Sequence, residues 1–240
     1  MSLPARADLD LVCLDAGNTL VGMQHELLVG LLAEEGIVAT PAALERAEAR
    51  ARPAISRRLE TGGSSEAGET ATFQVCSILA GIGVPAGEAA ERAPGLARRI
   101  RAALPSRRLW TRVLPGVPEA LGALRAGGLR LMVVSNSDGT VDALLRDLGL
   151  RALVDGVIDS RVVGVEKPDP GIWRHVLALE GTPGSRAVHV GDLHAVDVIG
   201  ARAAGLHAVL LDPFDDWGET DCPRVPDLGA LARRLLDAGA

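Results

Sequence analysis

The chain has 240 residues, a formal net charge of −6 and 48% apolar residues but only 2% aromatics, a profile of one or two globular domains. Its 25 basic residues are 24 Arg and a single Lys, Lys167; Tyr is absent, and Asn occurs only as Asn18 and Asn136. This poverty excludes a Tyr nucleophile, a lysine cluster and an aromatic platform for single-stranded nucleic acid. The acidic balance argues against nucleic-acid and membrane partners.

In chain order, the first residues (MSLPARADLD) are charged and precede no apolar segment of a secretory leader. No run approaches the ~18–20 apolar residues of a membrane span. Cys13, Cys76 and Cys222 are odd in number and widely spaced, which fits a reducing, cytoplasmic setting. The first apolar run, 9–14 (LDLVCL), reads as a strand. More than a hundred residues without a convincing strand follow. Apolar positions at Leu27, Leu28, Leu31 and Leu32 predict a helix over 23–35, and Pro41 opens another into the Arg-rich 45–60. The Gly/Ser-rich break at 62–69 precedes helices over 70–81 and 86–103, and Pro105, Pro115 and Pro118 mark the return to a mixed pattern.

Further strands are predicted at 129–134, 155–158, 187–190 and 207–211, each followed by helical periodicity. A surface loop over 212–226 leads to a last helix with Asp227 in its acidic first turn. Strands alternating with helices indicate an α/β fold: a parallel sheet with helices on both faces, plus an all-α insertion after the first strand. The boundaries fall at 1–21 and 112–240 for the sheet-bearing part and 22–111 for the insertion.

Ligands of open parallel sheets bind outside the carboxyl ends of the strands. There the sequence places Asp15-Ala16-Gly17-Asn18-Thr19, Ser135-Asn136-Ser137-Asp138 and Gly191-Asp192 through Asp197, with Lys167-Pro168-Asp169-Pro170 ahead of a helix. Singly, each reads as a turn or cap residue. Jointly, carboxylates at two strand ends, a hydroxyl at a third and the only ammonium suit an anionic substrate and a divalent cation. Asp15, Asp192 and Asp197 crowded together would repel unless a hard cation such as Mg²⁺ took their oxygens. Lys167 and Ser135 would hold phosphoryl oxygens, and a carboxylate could attack phosphorus.

These segments resemble the haloacid dehalogenase-like hydrolase superfamily, mostly Mg²⁺-dependent phosphatases. Asp15 with Thr19-Leu20 matches its first motif, Ser135-Asn136 its second and Lys167 with Pro168-Asp169-Pro170 its third. Gly191-Asp192, Asp197 and Gly200-Ala201 through Gly205 match its fourth. The resemblance implies a Rossmann-like core with an α-helical cap at 22–111. It also implies a small phosphorylated substrate, catalytic roles for Asp15, Thr19, Ser135, Asn136 and Lys167, and Mg²⁺ held by Asp15, the carbonyl of Gly17, Asp192 and Asp197. A monomer or homodimer is expected.

One position departs from the pattern. Where most such phosphatases place a second Asp that protonates the leaving group, this chain has Gly17, a loss worth about 10²- to 10⁴-fold in rate. Three readings follow: a working phosphatase with His25 or Asp138 as candidate acid/base substitutes, a dehalogenase, or a catalytically weak phospho-ligand or protein-binding member of the fold. Dehalogenases of this superfamily also lack the second Asp and show Asp-Ala-x-Gly-Thr, but they need a fourth-motif Asn and usually a Tyr; this chain has no Tyr, and both its asparagines fall in the first two motifs. Arg46, Arg50, Arg52, Arg57 and Arg58, interspersed with Glu45, Glu48 and Glu60, read as a solvated helix face. Trp173 reads as core, and His189 as a strand residue that makes a poor metal pair with His194.

Overall fold

The apolar runs form strands because their side chains are buried on both sides of the chain, the condition a central parallel sheet imposes. The computed structural model describes residues 3–237. Its strands are β1 (Leu11–Leu14), β2 (Val21–Gly22), β3 (Arg112–Val113), β4 (Arg130–Ser135), β5 (Gly156–Asp159), β6 (Ala187–Gly191), β7 (His207–Leu211) and β8 (Arg224–Val225). Six build one parallel sheet in the order β5-β4-β1-β6-β7-β8. Between β2 and β3 lie α1 (His25–Glu34), α2 (Pro41–Glu60), α3 (Gly68–Gly81), α4 (Ala86–Ala103) and the short α5 (Ser106–Leu109). The rest of the chain supplies α6 (Val117–Ala126), α7 (Val141–Asp147), α8 (Ser160–Val163), α9 (Gly171–Glu180), α10 (Ile199–Ala203) and α11 (Leu228–Asp237).

Leu11, Cys13, Met132, Val134 and Leu210 project to one side of the sheet, packed with Ile172, Trp173 and Val176 of α9. The alternate residues Val12, Leu14, Leu131, Val133, Val188 and Val190 are equally buried, so both faces are covered. This is the expected α/β, Rossmann-like arrangement. Burial pushes the Cys13 thiol up to about 12, so it sits in the core as a small apolar residue. No helix among the described residues is long and apolar enough to cross a membrane.

The chain divides into two compact units, Met1–Gly22 with Val113–Ala240, and Met23–Arg112. Three strands escape periodicity because each has only two residues: β2 and β3 pair as a separate two-stranded sheet, and β8 interrupts the predicted 212–226 loop. Caps fix the helix starts. Thr40 accepts from the Ala43 N–H at 3.2 Å ahead of Pro41. Asp227 sits one position outside α11, not in its first turn, and accepts from the Ala230 N–H at 2.6 Å.

Within the helical unit, Leu28, Leu32, Leu44, Leu79 and Leu96 form the core. Arg50, Arg57 and Arg58 are exposed as the charge pattern predicts. Arg52 is not, at 8% exposure, and lies 3.6 Å from the buried Glu48. His25, offered by the sequence as an acid/base substitute, is buried too, its Nε2 3.1 Å from Glu48 Oε2, and belongs to an internal polar group.

Two glycines test the packing. A Cβ at Gly191, the last residue of β6, would stand 2.2 Å from Asp197 Cγ, whereas one at the exposed Gly122 in α6 would meet nothing within 4 Å. Gly191→Ala should lower unfolding free energy by roughly 1–3 kcal/mol, and Gly122→Ala should leave it unchanged or raise it by up to about 1 kcal/mol. Urea denaturation of both variants checks the contrast; equal midpoints would contradict it.

Candidate active site

Parallel register gathers the strand ends. Leu14 pairs with Val133 on one side and Val190 on the other, so Asp15, Ser135 and Asp192 emerge from neighbouring strands. The Asp15 N–H donates to the Val190 carbonyl at 2.9 Å. After Asp15 the chain turns sharply: the Asn18 N–H donates to the Val21 carbonyl at 2.7 Å, with Asn18 at φ 53°, a left-handed conformation that Asn tolerates better than most residues. From there the Asn18 carboxamide donates to Asp192 Oδ2 at 3.0 Å.

Lys167, at 2% exposure, stands at the centre. Its Nζ donates to Asp15 Oδ1 and Asp197 Oδ1, both at 2.7 Å. Its backbone is clamped from the second strand end: the Lys167 N–H donates to Asn136 Oδ1 at 2.8 Å, and Asn136 Nδ2 donates to the Lys167 carbonyl at 2.9 Å. Asp197 lies in a π-helical turn, His194–Val198, and its carboxylate lies back against Gly191 at the end of β6. Besides Lys167, it accepts from the Leu193 N–H at 3.0 Å and stands 3.0 Å from His189 Nε2. His189 in turn packs edge-on against Trp173, ring centroids 5.1 Å apart.

The electrostatics follow from burial. Desolvation pushes the Asp15 carboxyl up, as does the neighbouring Asp197, against the pull of Lys167. Desolvation opposes the charged form of Lys167 as well, but the two carboxylates outweigh it and raise the ammonium above its ordinary value. For Asp197, the Lys167 charge and the His189 contact outweigh desolvation and lower it. Desolvation lowers His189, against the pull of Asp197. Oxygens of Asp15, Asp192 and Asp197 lie within 4.8 Å of one another. Three buried carboxylates against one ammonium leave an excess of negative charge, and hard oxygen donors of this kind fit a divalent cation.

The residues expected from sequence are thus distributed unevenly. Asp15, Lys167, Asp192 and Asp197 come together directly, and Asn136 joins them by holding the Lys167 backbone. Buried Ser135 donates to the Asn136 carbonyl at 3.3 Å. Thr19 Oγ1 is buried with no hydrogen-bond partner among the described residues, as expected of a hydroxyl that serves a ligand. Gly17 bridges to Val21 through its backbone. Asp138 is exposed and accepts from the Thr140 hydroxyl at 2.5 Å, while His25 belongs to the helical unit and meets Glu48. Sequence reasoning missed the parts played by Asn18 and His189. The scarcity of Asn marked the first; nothing in the local pattern marked the second.

Known proteins resemble this chain over most of its length. The human haloacid dehalogenase-like hydrolase domain-containing protein 3 (Homo sapiens) is 30% identical over 236 residues, spanning 96% of this chain and 94% of its own length. Phosphoglycolate phosphatase of Rhodospirillum rubrum is 39% identical over 121 residues, 50% of this chain and 48% of its own. The crystal structure of a HAD phosphatase from Thermococcus onnurineus shares the fold at a TM-score of 0.58 and 21% identity, covering 96% of this chain and 99% of that one. The sequence model of the haloacid dehalogenase-like hydrolases matches residues 9–205, through all four strand-end segments, and the chain belongs to that hydrolase family.

Proposed function

We propose that the protein is a Mg²⁺-dependent phosphatase that hydrolyses a small phosphorylated metabolite through an aspartyl-phosphate at Asp15. The observation that carries this reading is the buried Lys167 bridge between Asp15 and Asp197, beside a third carboxylate. The phosphatase name of the Rhodospirillum rubrum relative supports it. Asp15, the Gly17 carbonyl and Asp192 would hold the cation, which when bound draws charge from the phosphoryl oxygens. The sequence also offered Asp197 as a ligand. Its oxygens accept from Lys167 and Leu193 and meet His189, so we assign it to anchoring Lys167.

Lys167 holds Asp15 Oδ1, which leaves Oδ2 as the attacking oxygen. Attack forms the Oδ2–P bond and breaks the bond from phosphorus to the leaving oxygen, whose electron pair then takes a proton from water. Thr19 Oγ1, Ser135 and Lys167 bind the phosphoryl oxygens. A water molecule, giving its proton to the hydroxide left by the first step, next attacks phosphorus and breaks the Oδ2–P bond, which releases phosphate and restores the Asp15 carboxylate. No side chain at position 17 supplies the leaving-group proton, so leaving groups of low basicity are favoured. In this reading 22–111 serves as the cap, and the chain works in the cytoplasm as a monomer or homodimer.

Mg²⁺-dependent release of phosphate from an aryl phosphate tests the reading. Asp15→Asn should lower the rate by at least about 10³-fold; unchanged turnover would sink the assignment. Lys167→Ala should weaken inhibition by inorganic phosphate and cut kcat by about 10²-fold or more, with near wild-type values for both refuting its role. Gly17 is not one of the chain's left-handed glycines. Gly17→Asp should therefore be tolerated and raise kcat on alkyl phosphates by up to about 10²–10⁴-fold, with a much smaller gain on aryl phosphates. Equal gains on both would show that leaving-group protonation is not what the chain lacks.

A further inference from the structure

Outside the Asp15 group, a second set of side chains converges that the proposed chemistry does not use. Nε2 or Nδ1 of His194, an oxygen of Asp221 and Sγ of Cys222 lie within 4.8 Å of one another. His194 opens the π-helical turn after β6, and Asp221-Cys222 lie in the segment between β7 and β8. Cys222 is buried and has no disulfide partner. Mixed nitrogen, sulfur and oxygen donors suit a thiophilic divalent cation; Mg²⁺ and Ca²⁺ take oxygen alone.

The surroundings orient the donors. Arg202 holds Asp221 from one side, Nη1 on Oδ2 at 2.8 Å and Nη2 on the backbone carbonyl at 2.6 Å. That leaves Oδ1 to His194 Nε2, 2.7 Å away. His194 and Asp221 are partly open to solvent, so water can complete a tetrahedron, and Trp217 lies beside the imidazole with ring centroids 6.3 Å apart. The nearby Arg202 charge opposes a cation, and burial pushes the Cys222 thiol up, so the cation must displace its proton to gain the thiolate that offsets Arg202.

We propose that His194, Asp221 and Cys222 bind a thiophilic divalent cation of the Zn²⁺ type, joining the turn that carries Asp197 to the β7–β8 segment. On binding, the Cys222 S–H bond breaks and its proton passes to solvent. His194 gives its Nε2 lone pair with the proton on Nδ1, and Asp221 Oδ1 turns from the imidazole to the cation. Bonds of about 2.0–2.1 Å in a tetrahedron place nitrogen and oxygen roughly 3.3 Å apart. His194 and Asp221 therefore need to separate only slightly.

The test uses the full chain in saturating Mg²⁺, titrated with Co²⁺ as a spectroscopic probe and with Zn²⁺. The wild type should show a thiolate-to-cobalt charge-transfer band that Zn²⁺ displaces at one equivalent, with a change in tryptophan fluorescence. Cys222→Ser should abolish the band, His194→Gln should weaken Zn²⁺ binding at least about tenfold, the least that losing even a partner hydrogen-bonded to a ligand costs, and Asp15→Asn should leave it intact. His194→Gln, at a more accessible position, keeps the test decisive if Cys222→Ser does not fold. A missing band in the wild type, wild-type Zn²⁺ affinity in His194→Gln, or Zn²⁺ binding lost in Asp15→Asn would overturn the proposal.

Discussion

An ammonium group removed from water keeps its charge only where carboxylates surround it, because desolvating such an ion costs several kcal/mol. Lys167 meets that condition through Asp15 and Asp197, each 2.7 Å from Nζ. The carboxylates depend on the lysine in return, since without it two buried negative charges would face each other. Each member arrives from a different part of the core: Asp15 from the end of β1, Asp197 from the turn after β6, Lys167 from the loop before α9. The bridge therefore fixes three connections at once, and Asn136 ties in a fourth by matching the Lys167 peptide groups.

Close approach is the second condition. Gly191 leaves room for the Asp197 carboxylate to lie against the end of β6. Gly200 does the same for Trp173, where a Cβ would stand 2.5 Å from the ring. Trp173 supports His189, and His189 supports Asp197. An arginine in place of Lys167 would spread its charge over a planar fork, too broad for a point shared by two carboxylate oxygens. In a chain with 24 arginines, the single lysine stands where a compact charge is needed.

Much of this was legible because the sheet imposes a short period and ligand groups sit at strand ends. The five main strands and the four helices of the insertion follow from apolar spacing, and Asp15, Ser135 and Asp192 from their places after those runs, while Lys167 stands out as the only lysine, ahead of a predicted helix. Two-residue strands carry no period, which hid β2, β3 and β8. Contacts between distant residues were equally silent. His25, Glu48 and Arg52 form one buried group although α1 and α2 each look like ordinary charged helices. His194 meets Asp221, 27 positions away, and His189, read from sequence as a strand residue and a poor partner for His194, engages Asp197.

The pairing of β2 with β3 has a consequence for how the molecule can change. The inserted segment leaves at Gly22 and returns at Val113, with the Leu114 N–H on the Leu20 carbonyl at 3.0 Å, so its two ends meet as a closed stem. Seen from the stem, everything between is a loop whose closure is already secured. Doubling a flexible loop adds only about 0.6 kcal/mol of closure entropy. The inserted helices can lengthen, shorten or be exchanged with little strain on the stem, and the Asp15 turn, only a few residues away in sequence, keeps its geometry while the inserted segment is free to vary.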